Sequence, residues 1–452
     1  MKKNNRFSRV TAISLSLCAI LLFSVLFAQQ DGPVYIKAKK IYTSDGGRII
    51  TNGGILIRDG IIVKVDERVK PPKNVRVIDF SGNTIIPGLI DAFSHMGFHK
   101  EDYNVQTEPP NPHRAPLTGF YRIYFGGQEQ QTPPPRIESR FKASNAVYFK
   151  DASFKRFLSE GVTMSVITIP TANLSGGMPF MARLRGGSLS EFEMVDPVGI
   201  VFVLAGDRNV MKRYGDLKKI FQDAQDYRKT WEKYKKDSKK YRDQQKKKSG
   251  SSKGKKDKEE SAAKDIQEPK EPKKNENHEA VLQGLDRKIP VLIRASRENE
   301  IQAALKIHDE LKVRLVLVGG QEAYKIPKDL VSRKVSVIAG PDVVLDKKGN
   351  RINYIQELLE SGIPVAFCSS SSEGTSFIPY QLAYAVQHGL SRAQALDTVT
   401  VHPAKIFSLS NRVGSIISGR DADFVVLDGE PFDLGTNVQW VYIGGQRFFS
   451  EE

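Results

Sequence analysis

Two side chains suited to metal or proton chemistry follow an apolar stretch near residue 90. The stretch from Thr84 to His95 is rich in isoleucine and leucine, and it delivers Asp91 and His95 at its end. Imidazoles and carboxylates are groups that bind Zn²⁺ and that exchange protons in catalysis. The apolar run predicts a buried strand, with Pro87-Gly88 marking a sharp turn. In a barrel of parallel strands, active-site residues gather at the carboxyl end of such a strand.

Apolar strands and amphipathic helices alternate through the second half of the chain. Strands are predicted at 291–293, 314–318, 335–339 and 364–368, and helices at 298–311, 350–361, 379–388 and 391–399. The last helix begins with a capping box, Ser391 followed by Gln394. Strands separated by helices of this length imply a parallel sheet, and their number predicts a barrel. The predicted fold class is therefore α/β, a (β/α)8 TIM-like barrel.

Both ends of the chain are predicted to form short strands instead. Turn signals such as Asp45-Gly46-Gly47 and Asp59-Gly60 separate apolar runs over residues 34–80, and further strands are predicted at 423–427, 438–443 and 447–449. The residues alone leave open whether these are two hairpin modules or one joint unit.

Residues 87–95, Pro-Gly-Leu-Ile-Asp-Ala-Phe-Ser-His, resemble the first barrel strand of the amidohydrolase superfamily, whose motif is P-G-x-I-D-x-H-x-H. The chain ends resemble the imidazolonepropionase-like branch through Ile61–Val65 and through residues 414–427. That resemblance implies one β-sandwich, with its N-terminal half at 33–86 and its C-terminal half at 407–452. The two halves would flank an amidohydrolase-type barrel over residues 87–406.

The resemblance also indicates where metal ligands should lie, and most of them are replaced. Of the histidine pair after the first strand, Phe93 stands for one and His95 remains. Four further positions depart from the family: Asp207 for a glutamate, Arg294 for a histidine, Gly319 for a histidine, and Ser370 for the catalytic aspartate. A permanently charged arginine repels a divalent cation, and losing the aspartate removes the general base. His95 and Asp207 fall short of the three protein ligands of a catalytic zinc.

Three hypotheses follow for the function. The favoured one is a non-catalytic homologue, or pseudoenzyme, with a binding or partner role and no metal cofactor. The second is a zinc-dependent hydrolase of C–N bonds other than peptide bonds, such as a cyclic amide or an amidated amino acid. It would rebuild a site from His95, Asp207 and a histidine of the proline-rich segment 99–136, His99 or His113. In the third, Arg294 binds a carboxylate or another anion in place of the metal.

The net charge of +16 on this 452-residue chain is mostly local. Residues 228–278 hold 19 Lys and Arg against 10 Asp and Glu, and four more cations precede residue 10. The remaining chain is close to neutral, which argues against a nucleic-acid partner. Residues 216–248 predict an amphipathic helix whose aromatic stripe packs on the barrel. Residues 249–278 predict a disordered, solvated tether, with membrane attraction as the alternative.

Residues 1–28 join a basic start to an apolar run, which predicts a secretory signal peptide. We therefore expect an exported protein, periplasmic or envelope-associated, that contacts a membrane only if this segment is retained as an anchor. Cys368 is then the single remaining cysteine, so no internal disulfide can form. The expected partners are a second copy of the chain or a catalytically intact amidohydrolase relative.

Overall fold

A computed structural model describes residues 32–98, 138–185, 192–206, 209–250, 267–347, 349–371 and 377–451. The predicted signal peptide, the proline-rich segment with His99 and His113, and Asp207 lie outside these ranges. No helix within the described ranges is long and apolar enough to cross a membrane.

Strands and helices alternate between two β-rich ends. The strands are β1 (Val34–Tyr42), β2 (Ile49–Arg58), β3 (Ile61–Asp66), β4 (Arg76–Pro87), β5 (Leu89–Ser94), β6 (Val162–Ile167), β7 (Ser175–Gly177), β8 (Phe180–Arg183), β9 (Glu193–Val195), β10 (Ile200–Val203), β11 (Val291–Ala295), β12 (Leu315–Gly319), β13 (Ser336–Ala339), β14 (Val344–Lys347), β15 (Asn350–Asn353), β16 (Val365–Phe367), β17 (Phe424–Leu427), β18 (Val438–Ile443) and β19 (Gln446–Ser450). The helices are α1 (Ala152–Ser159), α2 (Val210–Gly250), α3 (Glu276–Leu285), α4 (Glu298–Leu311), α5 (Pro327–Ser332), α6 (Tyr354–Glu360), α7 (Phe377–Gln387), α8 (Arg392–Thr398) and α9 (Val401–Ile406).

One seven-stranded sheet contains strands from both ends of the chain, in the order β19-β18-β17-β4-β1-β2-β3. The joint is β4, which pairs in parallel with β1 and antiparallel with β17. Alternate side chains of these strands, among them Ile36, Ile55, Phe424 and Val426, form one buried cluster. The two ends therefore form one joint unit, while a second layer that would make it a sandwich stays a prediction.

The stretch from Thr84 to His95 forms two strands, and the break between them falls at the predicted turn Pro87-Gly88. β4 carries residues 84–87 in the end sheet, and the chain breaks at Gly88 before β5 begins at Leu89. The Gly88 N–H donates to the Asp423 carbonyl at 3.0 Å, and a Cβ on Gly88 would lie 2.2 Å from the Thr163 hydroxyl oxygen. The single buried strand predicted from the apolar run is therefore divided between two sheets.

The middle of the chain contributes parallel strands that form two sheets. In the six-stranded sheet, β10, β11, β12, β13 and β16 pair in parallel, and β7 joins antiparallel at the edge. A four-stranded sheet contains the parallel pair β5 and β6, followed by β8 and β9. The Ser370 N–H donates to the Phe93 carbonyl at 3.0 Å, and the His95 N–H to the Ser371 carbonyl at 2.9 Å. The carboxyl ends of β5 and β16 therefore lie side by side, while closure into an eight-stranded barrel stays a prediction.

The helices between these strands match the sequence pattern in most places. α4 spans the predicted residues, and the Ser391–Gln394 capping box starts α8. The helix predicted at 350–361 is wrong at its start, because Asn350–Asn353 is strand β15 and Asn353 then caps α6. Disorder over 249–278 is also wrong at its C-terminal end, since α3 begins at Glu276 and contains His278.

Candidate functional site

His95, directly after β5, is buried and holds one ring nitrogen in a fixed contact. Its Nδ1 lies 3.0 Å from the Thr168 carbonyl oxygen and 3.1 Å from the Thr168 hydroxyl. Because the carbonyl only accepts, Nδ1 carries the proton of the neutral ring and Nε2 keeps its lone pair. The pKa of His95 is lowered to about 4; burial is the main cause, the Thr168 carbonyl opposes it, and the charge of Arg294 adds to it. The imidazole is therefore neutral at pH 7.

Asp91, within β5, is fully buried and ties this strand to the loop after β16. One carboxylate oxygen accepts the N–H groups of Ser369 at 3.1 Å and Phe93 at 3.2 Å, and the other accepts the Ser369 hydroxyl. Burial raises the pKa of Asp91 to about 7, against the lowering effect of these hydrogen bonds. Asp91 thus connects two strand ends that are 278 residues apart in the sequence.

Phe93 occupies the place of a metal ligand with an apolar ring. It is 1% exposed and belongs to a buried cluster with Leu292 of β11, Val318 of β12 and Cys368, the residue after β16. Its ring centroid lies 5.6 Å from that of His95, edge to face. The space beside His95 is therefore filled by apolar packing on the Phe93 side, where a metal would need a nitrogen or oxygen donor.

Arg294, near the carboxyl end of β11, is half-buried, and its Nη1 donates to the Thr171 carbonyl at 3.2 Å. Burial lowers its pKa, and its charge acts on both His95 and Cys368. Among the residues that the structure describes, no carboxylate lies within ion-pair distance of Arg294. A guanidinium has five N–H donors, so Arg294 retains donors for an anionic group.

Ser370, in the position of the family's catalytic aspartate, has a left-handed backbone with φ of 48°. Its hydroxyl lies 3.5 Å from the Cys368 sulfur, and burial is the main cause that raises the pKa of Cys368 to about 12. Cys368 is therefore a neutral thiol at pH 7. No imidazole or carboxylate within the described ranges bonds the Ser370 hydroxyl, so nothing there activates it as a nucleophile.

Gly319 ends β12 with a φ of 97°, a conformation that residues with a Cβ rarely adopt. An added Cβ would lie 2.8 Å from the Ser296 hydroxyl oxygen. A histidine at this position would therefore be strained, so the backbone here suits glycine and not a ligand.

The described part of the chain does not fit a catalytic metal. Its His, Cys, Asp and Glu side chains form no group of three or more that could hold an ion. Phe93 packs on His95, the Ser370 N–H bonds the Phe93 carbonyl, and the charge of Arg294 acts on His95, but none of the three is a good donor to zinc.

A cavity of about 420 Å³ lies away from these residues, lined among others by Arg183, Arg412 and Asp421. Arg183 pairs with Met164 near the amino end of β6, whereas His95 follows the carboxyl end of the parallel strand β5. The cavity therefore opens at the opposite end of these strands from the candidate site.

Residues 84–447 match the sequence profile of the Amidohydrolase family. This chain belongs to the amidohydrolase family. A solved amidohydrolase from Thermotoga maritima MSB8 superposes with a TM-score of 0.72 at 26% identity, covering 92% of this chain and all of that one. A Xaa-Pro dipeptidase structure with bound methionine superposes with a TM-score of 0.50 at 14% identity over 92% of this chain and all of that one, which supports the fold alone.

Two curated family relatives share sequence with the chain. Amidohydrolase tasK of Hapsidospora irregularis is 21% identical over 88% of this chain, and an imidazolonepropionase of Syntrophobacter fumaroxidans is 35% identical over 17% of it. The chain spans 40% of the first relative's length and 19% of the second's. With these matches, the α/β pattern is that of a TIM-barrel-type amidohydrolase fold.

Three contacts of the site were not predicted from the sequence. Asp91 stood out as a polar residue in an apolar run, but nothing in the sequence indicated Ser369 as its partner. Thr168 and Thr171, whose carbonyls hold His95 and Arg294, belong to a segment without a recognisable motif.

Proposed function

We propose that this chain is a non-catalytic amidohydrolase of the imidazolonepropionase-like branch that binds an anionic group where relatives bind metal. The observation that carries the proposal is the half-buried Arg294 guanidinium, which donates to the Thr171 carbonyl and has no carboxylate partner in the described ranges. A half-buried cation of this kind favours a carboxylate or a similar anion, because charged hydrogen bonds are strong where water is largely excluded.

The proposal includes a closed barrel and an export route. The hydrogen bond from Ser370 to Phe93 supports treating the two parallel sheets as arcs of one (β/α)8 barrel with the end sheet as part of a sandwich. The predicted signal peptide supports export to the periplasm or envelope. There the chain would act with a second copy of itself or with an intact amidohydrolase relative.

Metal analysis and anion binding together test the proposal. We expect purified protein to carry no stoichiometric zinc and to hydrolyse neither cyclic amides nor amidated amino acids. Acetate, succinate and N-acetylglycine serve as anion probes in thermal unfolding. At least one probe should raise the melting temperature of the wild type and of Arg294→Lys, but not of Arg294→Met. If no anion from a wider carboxylate and phosphate set stabilises the wild type, the anion site is excluded.

A second candidate function is metal-dependent hydrolysis of non-peptide C–N bonds, and the geometry of His95 favours it. A ring nitrogen held by a backbone carbonyl, with the other lone pair left available, is the usual arrangement of a metal-binding histidine. This candidate needs donors from outside the described ranges, such as Asp207. About one zinc per chain that is lost in His95→Ala would establish it against the non-catalytic proposal.

A further inference from the structure

Helix α2 is embedded in the protein at its N-terminal part and lies outside the core beyond it. Leu217, Phe221 and Ala224 are buried, and the Phe221 ring lies 5.2 Å from that of Phe202 on β10. After Ala224 no described residue of the helix is fully buried. At 1.5 Å per residue, the 41-residue helix is about 60 Å long, so its C-terminal part forms a projecting arm.

The predicted stripe of α2 packs on the core at Leu217 and Ala224, as expected, and Tyr227 packs on α3. The Tyr227 ring stacks on His278 at 5.3 Å, and the Tyr227 hydroxyl lies 3.2 Å from the Glu279 carboxylate. Arg228 pairs with Asp286 at 2.5 Å. The start of the arm is therefore fixed to the body by side chains of α3.

Residues 267–275, Gln-Glu-Pro-Lys-Glu-Pro-Lys-Lys-Asn, lead into α3 and meet the arm at Tyr227. Pro269, Pro272 and Asn275 are half-buried while the residues between them are exposed, which is the three-residue period of a polyproline II helix. The Asn275 N–H donates to the Tyr227 hydroxyl at 3.3 Å, which places the end of this segment at the start of the aromatic stripe.

The axial repeat of the proline segment nearly matches the spacing of the tyrosines along the arm. A polyproline II turn rises about 9 Å, and the tyrosines of the arm recur every seven residues, about 10.5 Å of α-helix. Tyr227, Tyr234 and Tyr241 are all half-buried at this spacing. Residues 225–246 of α2 are therefore helical, as predicted, and the three-residue period of residues 267–275 fits the spacing of their tyrosines.

The face of the helix opposite the aromatic stripe is a row of lysines, Lys229, Lys233, Lys236 and Lys240. All four are exposed, and their spacing of four, three and four residues aligns them over about 16 Å. Lys229 pairs with Asp226 at 2.8 Å, and the other three have no carboxylate at ion-pair distance within the described ranges. Residues 228–246 hold nine Lys and Arg against three Asp and Glu.

We propose that this lysine row docks the protein on an anionic lipid surface. The row is straight and carries charge without aromatic side chains, since the aromatics lie on the other side of the helix. Single-stranded nucleic acid is bound by aromatic stacking beside basic charge, which this face lacks. A row of lysines on an ordered helix can approach a flat bilayer together, and each adds attraction to acidic headgroups. The rest of the chain is nearly neutral, so the arm would determine which side of the protein faces the membrane.

Vesicle flotation at physiological salt tests the proposal, with phosphatidylcholine vesicles that contain or lack phosphatidylglycerol. The wild type should bind the anionic vesicles and not the neutral ones. Replacing the four lysines of the row by glutamine should weaken binding about a hundredfold. The matched control replaces Lys39, Lys64, Lys70 and Lys73, exposed lysines at the N-terminal end, by glutamine for the same change in net charge. This control should keep most of the affinity.

A charge-neutral variant tests whether the ordered arm matters. Pro269→Ala with Pro272→Ala removes the proline segment's fit to the tyrosines and should weaken vesicle binding several-fold, with lower helicity by circular dichroism. Two results would overturn docking by an ordered face. One is an equal loss of vesicle affinity in the row variant and in the matched lysine control. The other is an unchanged vesicle affinity in the proline variant. Tighter binding to duplex DNA than to anionic vesicles at the same salt would overturn the choice of lipid.

Discussion

The Arg183 guanidinium, at the end of β8, donates to both carboxylate oxygens of Asp423, the residue just before β17. Both side chains are 5% exposed, and Arg183 also lies 3.2 Å from Asp421. Asp423 further accepts the N–H of Gly444 at 2.7 Å. This bidentate pair joins the end sheet to the four-stranded sheet that contains β5, the strand of the candidate site.

Removing Arg183 should strongly destabilise the protein. Arg183→Met leaves Asp423 buried without its cation, a change that typically costs about 3–5 kcal/mol. Burial already raises the pKa of Asp423 against the lowering effect of Arg183, so the variant's carboxyl will be protonated more readily. The loss in free energy of unfolding should therefore be larger at pH 7 than at pH 5, measured by urea denaturation.

Two further variants serve as controls for this prediction. Adding Asp423→Asn to Arg183→Met should recover part of the lost stability, because the unpaired charge is removed. Lys37→Met breaks the exposed Lys37–Asp79 pair and should change the free energy of unfolding far less than Arg183→Met does, because water screens this pair. Equal costs for the buried and the exposed pair would contradict the role given to Arg183.

Asp91 should make stability fall as the pH rises from 4 to 7. Its pKa is raised to about 7 in the folded protein from 3.8, so the folded state binds the proton more tightly than the unfolded state. The stabilisation is complete below pH 4 and is lost as the pH rises through 7, up to about 4 kcal/mol. Asp91→Asn cannot titrate and should remove this contribution, so its free energy of unfolding relative to the wild type should rise between pH 4 and pH 7. An unchanged slope between pH 4 and 7 in the variant would show that Asp91 is not the titrating group.

Gly340, just after β13, should tolerate no side chain. Its φ is 128°, and an added Cβ would lie 2.3 Å from the carbonyl oxygen of Cys368, a backbone atom that cannot move without displacing the loop of Ser369 and Ser370. Gly362 is the matched control, because its φ is 80° but no atom lies within 4 Å of the added Cβ. We expect Gly362→Ala to cost about 1–2 kcal/mol from backbone strain alone. Gly340→Ala should cost clearly more in urea denaturation, and similar costs would argue against the close approach.

The parts of the fold set by local chemistry could be predicted from the sequence. Helix α4 and the capping box of α8 follow from apolar periodicity and side-chain hydrogen bonds within one turn. The break between β4 and β5 falls at Pro87-Gly88, the turn signal in the sequence, but the packing against Thr163 that requires the glycine could not be predicted. The start of α6 was missed because the hairpin of β14 and β15 depends on pairing between strands.

At the candidate site, positions could be inferred from the sequence but contacts could not. The resemblance implied that Phe93, His95, Arg294 and Ser370 lie at neighbouring strand ends, and the structure shows contacts between Phe93 and His95 and between Phe93 and Ser370. It could not supply the hydrogen bond between Asp91 and Ser369, since partners 278 residues apart are joined only by the fold. Nor could it indicate that Asn275 bonds Tyr227, because the composition of residues 267–275 is that of a disordered segment.

The charge of Arg294 should have a measurable effect on the pKa of His95. Arg294 lowers the pKa of His95, but burial is the larger cause. In Arg294→Met the pKa of His95 should therefore rise from about 4 yet stay below 6.5, the ordinary value for histidine. Arg294→Lys keeps a positive charge and should leave the pKa of His95 near its wild-type value. NMR titration of the imidazole C–H signals, assigned with His95→Gln, measures the pKa of His95 in the wild type and in both variants.

Because the depressed pKa of His95 favours the neutral ring, its contribution to stability should decline as the pH falls from 6.5 toward 4, and less steeply in Arg294→Met. Identical His95 pKa values in the methionine and lysine variants would place the arginine too far from the imidazole to share one anion with it.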